Sequence, residues 1–340
     1  MILEGTILRG DAMTPVEGRV IVEDGEIAAI EETAVDSDDI VVPAFVNAHT
    51  HIGDAIAKEA GEGLPLEDLV APPDGLKHRL LREADRTQLV AAMERALSYM
   101  EQSGTGTFFD FREGGVDGVR ALRQALTESP LESVVLGRET VDVLAEADGF
   151  GASGANDDTF GRERRATREA DKLFGIHAGE VDASDINPAL DLDPDFLVHM
   201  VHAEALHLQR VDDSEIPVVV CPRSNLVTDV GLPPVEDLVR RTTVALGTDN
   251  VFLNSPSMFR EMEFTAKLYD LTARDVLQMA TVNGAEIAGL DCGVIESGRP
   301  ARLLVLDGDS DNLAGAQNPV RAVVRRAETA DVSRVLLPDA

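Results

Sequence analysis

The sequence predicts an α/β protein: a (β/α)8 barrel of the TIM type with a small β-sandwich domain formed by both termini. Three observations carry this expectation. Short strand-like runs separated by turns fill the first forty residues and recur in the last forty. Between them, eight apolar strand candidates alternate with helical stretches, which suits a closed barrel better than an open doubly wound sheet. No glycine-rich phosphate loop of the GxGxxG or Walker type follows any of these strands, so dinucleotide and nucleoside-triphosphate folds lose support. The expected units are a composite β domain over 1–42 and 293–340 and a catalytic barrel over 43–292.

At the N-terminus, Ile2 to Leu8 alternates in polarity, and Arg19 to Val22 runs through an Asp24-Gly25 turn into Ile27 to Ile30. At the C-terminus, Leu303 to Leu306, Ala322 to Val324 and Val332 to Leu337 read as strands. The barrel candidates are Val41 to Ala48, Gly106 to Phe111, Ser133 to Gly137, Gly149 to Ala152, Leu173 to His177, Phe196 to His199, Pro217 to Cys221 and Thr243 to Gly247. A helix over Thr87 to Glu101 places Leu89, Met93, Leu97 and Met100 on one face. Another starts at Thr272, where Asp275 completes a capping box. Ile52 to Asp85, with Gly61-Glu62-Gly63 and Ala71-Pro72-Pro73-Asp74-Gly75, reads as a compact lid.

Composition narrows the function classes. The 340 residues carry 62 Asp and Glu against 30 Lys and Arg, a net charge of −32. Nucleic acid and anionic lipid both require clustered positive charge, so neither is an expected partner. Only Lys58, Lys77, Lys172 and Lys267 are lysines; the remaining cations are arginines. Acidic excess with scarce lysine resembles the proteins of salt-loving archaea, where molar salt contracts the Debye length to about 3 Å and quenches self-repulsion. Cys221 and Cys292 have neither metal-ligand nor CxxC spacing and read as buried free thiols. The first residues lack a signal-peptide pattern, and no run approaches the ~20 apolar residues of a membrane helix, so the expected location is the cytoplasm.

Barrel enzymes carry their chemistry at the C-terminal ends of the strands. The first strand ends in His49-Thr50-His51, where residues two apart face the same side and can offer two imidazoles to one metal ion, or simply be two surface histidines. The fifth ends in His177-Ala178-Gly179-Glu180, bringing an imidazole to the rim and a carboxylate back from the next turn. A carboxylate near a metal is a common general acid/base, although a solvated loop residue looks the same in sequence. The sixth ends in His199, which is preferred to His202 for a site role; His207 lies on the following polar helix and is expected to be exposed. The eighth ends in Thr248-Asp249, and that carboxylate can ligate a metal or serve as a helix cap. His78 reads as a lid or solvated residue. Each signal alone is modest; their order along successive strand ends is not.

That order, together with the flanking residues, resembles the amidohydrolase superfamily of metal-dependent hydrolases, in its cytosine/adenosine/guanine-deaminase-like, chlorohydrolase-type branch. The matching segments are Val42 to His51, His177 to Glu180, Val198 to His202, Pro222 to Leu226, Leu246 to Asn250, and Gly293 to Gly298 running into Leu303 to Asp307. The resemblance covers nearly the whole chain. It implies that His49, His51, His177 and Asp249 hold one divalent metal ion, zinc ahead of iron(II). It implies that His199 faces the water or substrate, or ligates directly, and that Glu180 shuttles protons to a ring nitrogen and the leaving group. Asp249 would also take the proton of the attacking water, and Arg223 and Asn225 would lie near the substrate.

The implied activity is hydrolytic deamination of a nucleobase, nucleoside or related N-heterocycle. The alternatives are hydrolysis of a cyclic amide or of another ring substituent, and a metal-free binding scaffold. A homo-oligomer fits the resemblance as well. Two departures from relatives stand out. The fourth strand end, Phe150 to Gly154, lacks the bridging lysine of binuclear members, which implies a mononuclear site with Glu139 as the sole bridging candidate nearby. The lid is also short, so the substrate does not transfer by analogy.

Overall fold

Residues 1–70 and 74–338 are described by a computed structural model. The Ala71 to Pro73 part of the expected lid lies outside the described residues. The apolar runs pair into two sheets. The first strands are β1 (Ile2–Arg9), β2 (Thr14–Glu23), β3 (Glu26–Glu32) and β4 (Ile40–Pro43). The next are β5 (Phe45–His51), β6 (Thr105–Arg112), β7 (Glu132–Gly137), β8 (Gly149–Ala152) and β9 (Leu173–Ala178). They are followed by β10 (Phe196–His199), β11 (Val218–Val220), β12 (Val244–Leu246) and the two-residue β13 (Asp249–Asn250). The last are β14 (Leu303–Leu306) and β15 (Val332–Leu336).

Both ends of the chain build one six-stranded sheet in the order β15-β14-β4-β1-β2-β3. Its β2–β3 hairpin turns at Asp24 and Gly25, both with positive φ (48° and 82°), the pair of values that a two-residue turn needs to match strand twist. That hydrogen-bonded order does not by itself establish the sandwich expected of the termini. One terminal expectation changes: Ala322 to Val324 is helical within Pro319–Arg325. Asn318 caps that helix by accepting from the Arg321 N–H, and Pro319 sits in its first turn, where its missing N–H is harmless. A short apolar run cannot by itself distinguish a buried strand from a buried helix.

The second sheet has nine strands in the order β12-β11-β10-β9-β8-β7-β6-β5-β13, all pairs parallel. It curls until its ends meet. The chain leaving β12 runs into β13, where Asp249 and Asn250 pair with Thr50 and His51 of β5. Thr248 N–H donates to the His49 carbonyl at 3.0 Å, and the Asn47 side chain exchanges hydrogen bonds with Thr248. This is the TIM-type arrangement, with helices on the outside. The Arg86–Gln102 helix packs inward with Met93, Leu97 and Met100 buried.

The expected strand Val41 to Ala48 divides at Ala44: β4 belongs to the terminal sheet and β5 to the barrel, with no linker between them. Inside the barrel, phenylalanines fill the axis. A Cβ on Gly175 would lie 2.4 Å from the Phe196 ring, and one on Gly151 would lie 2.5 Å from Phe111, so bare backbone at these positions makes room for the rings. No helix among the described residues is long and apolar enough to cross a membrane.

Candidate metal centre

The strand ends carry their polar side chains to one point on the barrel axis. His49 and His51 leave β5 on the same face, with ring centroids 4.9 Å apart. His177, near the end of β9, stands 5.0 Å from His49 and 5.6 Å from His51. His199, the last residue of β10, stands 5.3 Å from His177 and 5.9 Å from His49. Asp249 closes the ring: its Oδ1 is 3.3 Å from His49 Nε2 and 3.5 Å from His51 Nε2. Glu180 reaches back so that its Oε2 is 3.6 Å from His199 Nε2. Three overlapping groups bring ligand atoms within 4.8 Å of one another: His49-His177-His199, His49-His51-Asp249 and Glu180-His199-Asp249. All six residues named at the strand ends therefore come together.

Backbone strain marks the same place. His199 (φ 76°), Met200 (φ 56°) and Asp249 (φ 57°) occupy left-handed conformations that residues with side chains avoid, at a cost of order 1–3 kcal/mol each. The barrel frame holds them there, which aims the His199 and Asp249 side chains inward.

The donor set is that of a metal site. The His51 Nδ1 lies 2.7 Å from the Glu113 carboxylate, and the His177 Nδ1 lies 2.8 Å from the Ala152 carbonyl. An oxygen acceptor at Nδ1 fixes the proton there and leaves the Nε2 lone pair free. Ser224 donates to Asp249 Oδ2 at 2.6 Å, while Asp249 Oδ1 and both nitrogens of His49 are buried without any hydrogen-bond partner in the protein. Unpartnered polar atoms this deep are rare unless something else meets them. Burial pushes His49 and His177 below the usual imidazole range and His51 to about 3, so all three are neutral at neutral pH, the form that ligates. Burial alone would raise Asp249, but the imidazoles of His49, His199 and His51 around its carboxylate hold it well below its ordinary value. Glu180 moves the other way: burial raises its carboxyl against the opposing charge of His199.

The other residues singled out in the sequence have the following surroundings. Arg223 is committed inside the protein: its backbone N–H and guanidinium meet Glu261, and its side chain also bonds Asn254 and the carbonyls of Ser255 and Ser257. Asn225 sits 3.2 Å from His199 Nδ1 and so fixes that ring. Glu139, the bridging candidate, is spent on the Gly114 N–H at 2.8 Å and joins none of the ligand groups. His207 is buried rather than exposed, because its Nδ1 accepts from Glu204 N–H and its Nε2 meets Asn187. His78 is part-buried, with Nε2 3.0 Å from the Val70 carbonyl, and burial lowers it to about 4.

Sequence reasoning missed the charged layer under the imidazoles. Glu113, the residue after β6, contacts His51, Lys77 (2.8 Å), Arg112 (2.6 Å) and Arg138 (3.3 Å). Asp54 and Asp110 are buried beside them. The available signal was Asp110-Phe111-Arg112-Glu113, an unusual density of charge at the end of an otherwise apolar strand. A cavity of about 980 Å³ opens beside this layer, lined by Glu113, Arg138, Phe150, Ser153 and Phe160. It adjoins the imidazole cluster through Glu113 and is not lined by the imidazoles themselves.

The amidohydrolase family matches residues 40–192 and 163–337, which together span the barrel and the C-terminal sheet strands. The chain belongs to that family. A Methanothermobacter thermautotrophicus protein, named only as a candidate aminohydrolase, is 35% identical across 98% of this chain and 96% of its own. The 5-methylthioadenosine/S-adenosylhomocysteine deaminase of Haloarcula marismortui is 28% identical across 98% of this chain and 90% of its own. The crystal structure of an adenosine deaminase from Xanthomonas campestris with bound zinc superposes with a TM-score of 0.78 at 19% identity, over 99% of this chain and 91% of that one. At that identity the likeness concerns the fold.

Proposed function

We propose that this amidohydrolase is a metal-dependent hydrolytic deaminase, removing an exocyclic amino group from a nucleobase, nucleoside or related N-heterocycle. The observation that supports it most is the convergence of four imidazoles and Asp249 on the barrel axis, with His49 and Asp249 Oδ1 unpartnered. Family membership and relatives named as deaminases point the same way.

In this reading His49, His51, His177 and Asp249 hold one divalent ion, zinc or iron(II). Bound there, such an ion supplies the Lewis acidity that makes a water nucleophilic near neutral pH. The remaining steps belong to the chain. Asp249 accepts a proton at Oδ1, the oxygen that Ser224 leaves free. Glu180, which burial favours in its protonated form, donates to the ring nitrogen as the carbon becomes tetrahedral. It then takes up the proton of the new C–OH group as the carbonyl forms, and passes it to the departing amine as the C–N bond breaks. The proton held by Asp249 then restores the Glu180 carboxyl, and both groups regain their starting state. His199, its plane fixed by Asn225, stabilises charge developing at the reacting centre. In this reading the composite β domain, 1–42 and 293–340, supports the barrel, 43–292, that holds the site.

The test is ammonia release from a purine, pyrimidine and pterin panel, in molar KCl, with zinc or iron(II) added. Ammonia in step with metal content is the expected result. Ring opening or loss of another substituent without ammonia would select the cyclic-amide or substituent hydrolase instead. Protein that takes up no metal and turns over nothing would leave only the metal-free scaffold.

A further inference from the structure

Lys77 is one of only four lysines in the chain, and it is 3% exposed. It sits on the short Leu76–Glu83 helix of the lid, whose Leu76 and Leu80 pack against Leu69, Ala57 and Phe252. An ammonium in such a place is costly unless it is paired. Its Nζ donates to Asn250 Oδ1 at 2.9 Å, directly after Asp249, and lies 2.8 Å from Glu113 Oε1 and 3.8 Å from Asp54 Oδ2. Glu113 Oε1 is also the atom 2.7 Å from His51 Nδ1. One oxygen therefore joins the lid to a proposed ligand, and Asn250 joins the lid to the strand that carries another.

We propose that Lys77 is a positioning residue through which lid docking sets the metal site: its ammonium anchors Glu113 and Asn250, and these orient His51 and Asp249. The inference rests on the metal-site reading above. Glu113 has Arg112 and Arg138 as further cations, so removal of Lys77 leaves the carboxylate paired while withdrawing the contact that comes from the lid. The acceptor on His51 Nδ1 then loses one of its fixed points. Outer partners of ligating histidines typically change metal affinity 10–100-fold when removed.

The test compares zinc release to a chromophoric chelator, in molar KCl, from zinc-loaded wild type, Lys77→Met, Glu113→Gln and the double variant. The same proteins loaded with cobalt(II) report ligand geometry through their visible absorption. Lys77→Met is expected to weaken zinc retention about 10–100-fold and to shift the cobalt bands. The double variant is expected to be no worse than its weaker-binding parent, because both changes act through one hydrogen-bonded chain. Lys77→Gln, which keeps a donor without the charge, carries the same expected direction if the methionine variant does not fold. Folded Lys77 variants that hold zinc as wild type does, with unshifted cobalt bands, overturn the inference while leaving the metal site intact. Losses that multiply in the double variant also overturn it. Wild type that binds neither ion overturns the metal site and this inference together.

Discussion

At the scale of single residues, the proposed function separates groups that hold the metal from groups that move protons. Glu180 is 18% exposed at its side chain and stands 3.6 Å from His199 Nε2, whereas the His177 ring is fixed by the Ala152 carbonyl with its Nε2 free. Glu180→Gln is therefore expected to keep its metal and lose turnover by about 10²–10⁴-fold. His177→Ala is expected to lose the metal itself. Metal content by elemental analysis beside kcat separates the two; a metal-free Glu180→Gln protein would move that residue into the ligand set. Glu261 offers a titration to follow. Burial raises its carboxyl to about 7, even with the opposing charge of Arg223 beside it.

Between its ordinary pKa of 4.5 and about 7, the folded protein then binds a proton that the unfolded chain has released. Stability from this group is greatest below the lower value, falls as pH rises through the window, and is flat above it. Relative to Glu261→Gln, wild type should lose about 3 kcal/mol across that window, read by urea denaturation at fixed salt. A difference that stays constant from pH 4.5 to 7 would show that Glu261 is ionised throughout. His49, His51, His177, His199, Glu180 and Asp249 were all legible in the sequence because each lies at, or within a few residues of, the C-terminal end of a barrel strand. Glu113 and Lys77 were not, because their meaning lies in a contact between a strand end and a lid helix far apart in the chain.

At the scale of elements, the eight barrel strands appear close to where alternation of apolar runs and helices puts them, and Phe196–His199 and Gly149–Ala152 fall on the expected residues. The Thr272–Asp275 capping box is present with both of its reciprocal bonds. The misreadings have local causes. Ile40 to His51 is buried without a break, so nothing in its polarity marks Ala44 as the residue where the chain changes sheets. Pro319–Arg325 carries its helix signal in Asn318 and Pro319, outside the apolar run itself.

Close packing inside the strands gives an expectation of its own. Gly175→Ala places a methyl carbon 2.4 Å from Phe196 and 2.8 Å from Phe111, whose ring in turn packs against His49 and His177. Overpacking of this kind costs about 1–3 kcal/mol. It should lower the midpoint in urea by that amount, and it should disturb the imidazoles as well. An unchanged midpoint would mean that the ring moves freely, contrary to a filled barrel axis.

At the scale of the whole molecule, the charge of −32 is the property that most affects handling. Raising salt from 0.1 M to 1 M shortens the Debye length from about 10 Å to about 3 Å. Repulsion among 62 carboxylates on one chain weakens accordingly. The thermal midpoint is expected to rise continuously from 0.1 M to 2 M KCl, and more steeply than for a near-neutral barrel of the same size. A midpoint indifferent to KCl would remove the halophilic reading and leave an acidic protein of ordinary habits. The charge sets the solvent and leaves the site alone, since the groups that converge on the axis are buried from it.

The change of sheet at Ala44 has a consequence for time as well as space. β4 lies between β1 and β14, so one of its two neighbours is 260 residues further along the chain. The strand joined to it without a break bears His49 and His51. During synthesis the first two imidazoles emerge early, yet the strand that anchors them gains its second neighbour only after residues 303–306 have left the ribosome. The support of the first strand of the site is thus completed by one of the last strands to be made.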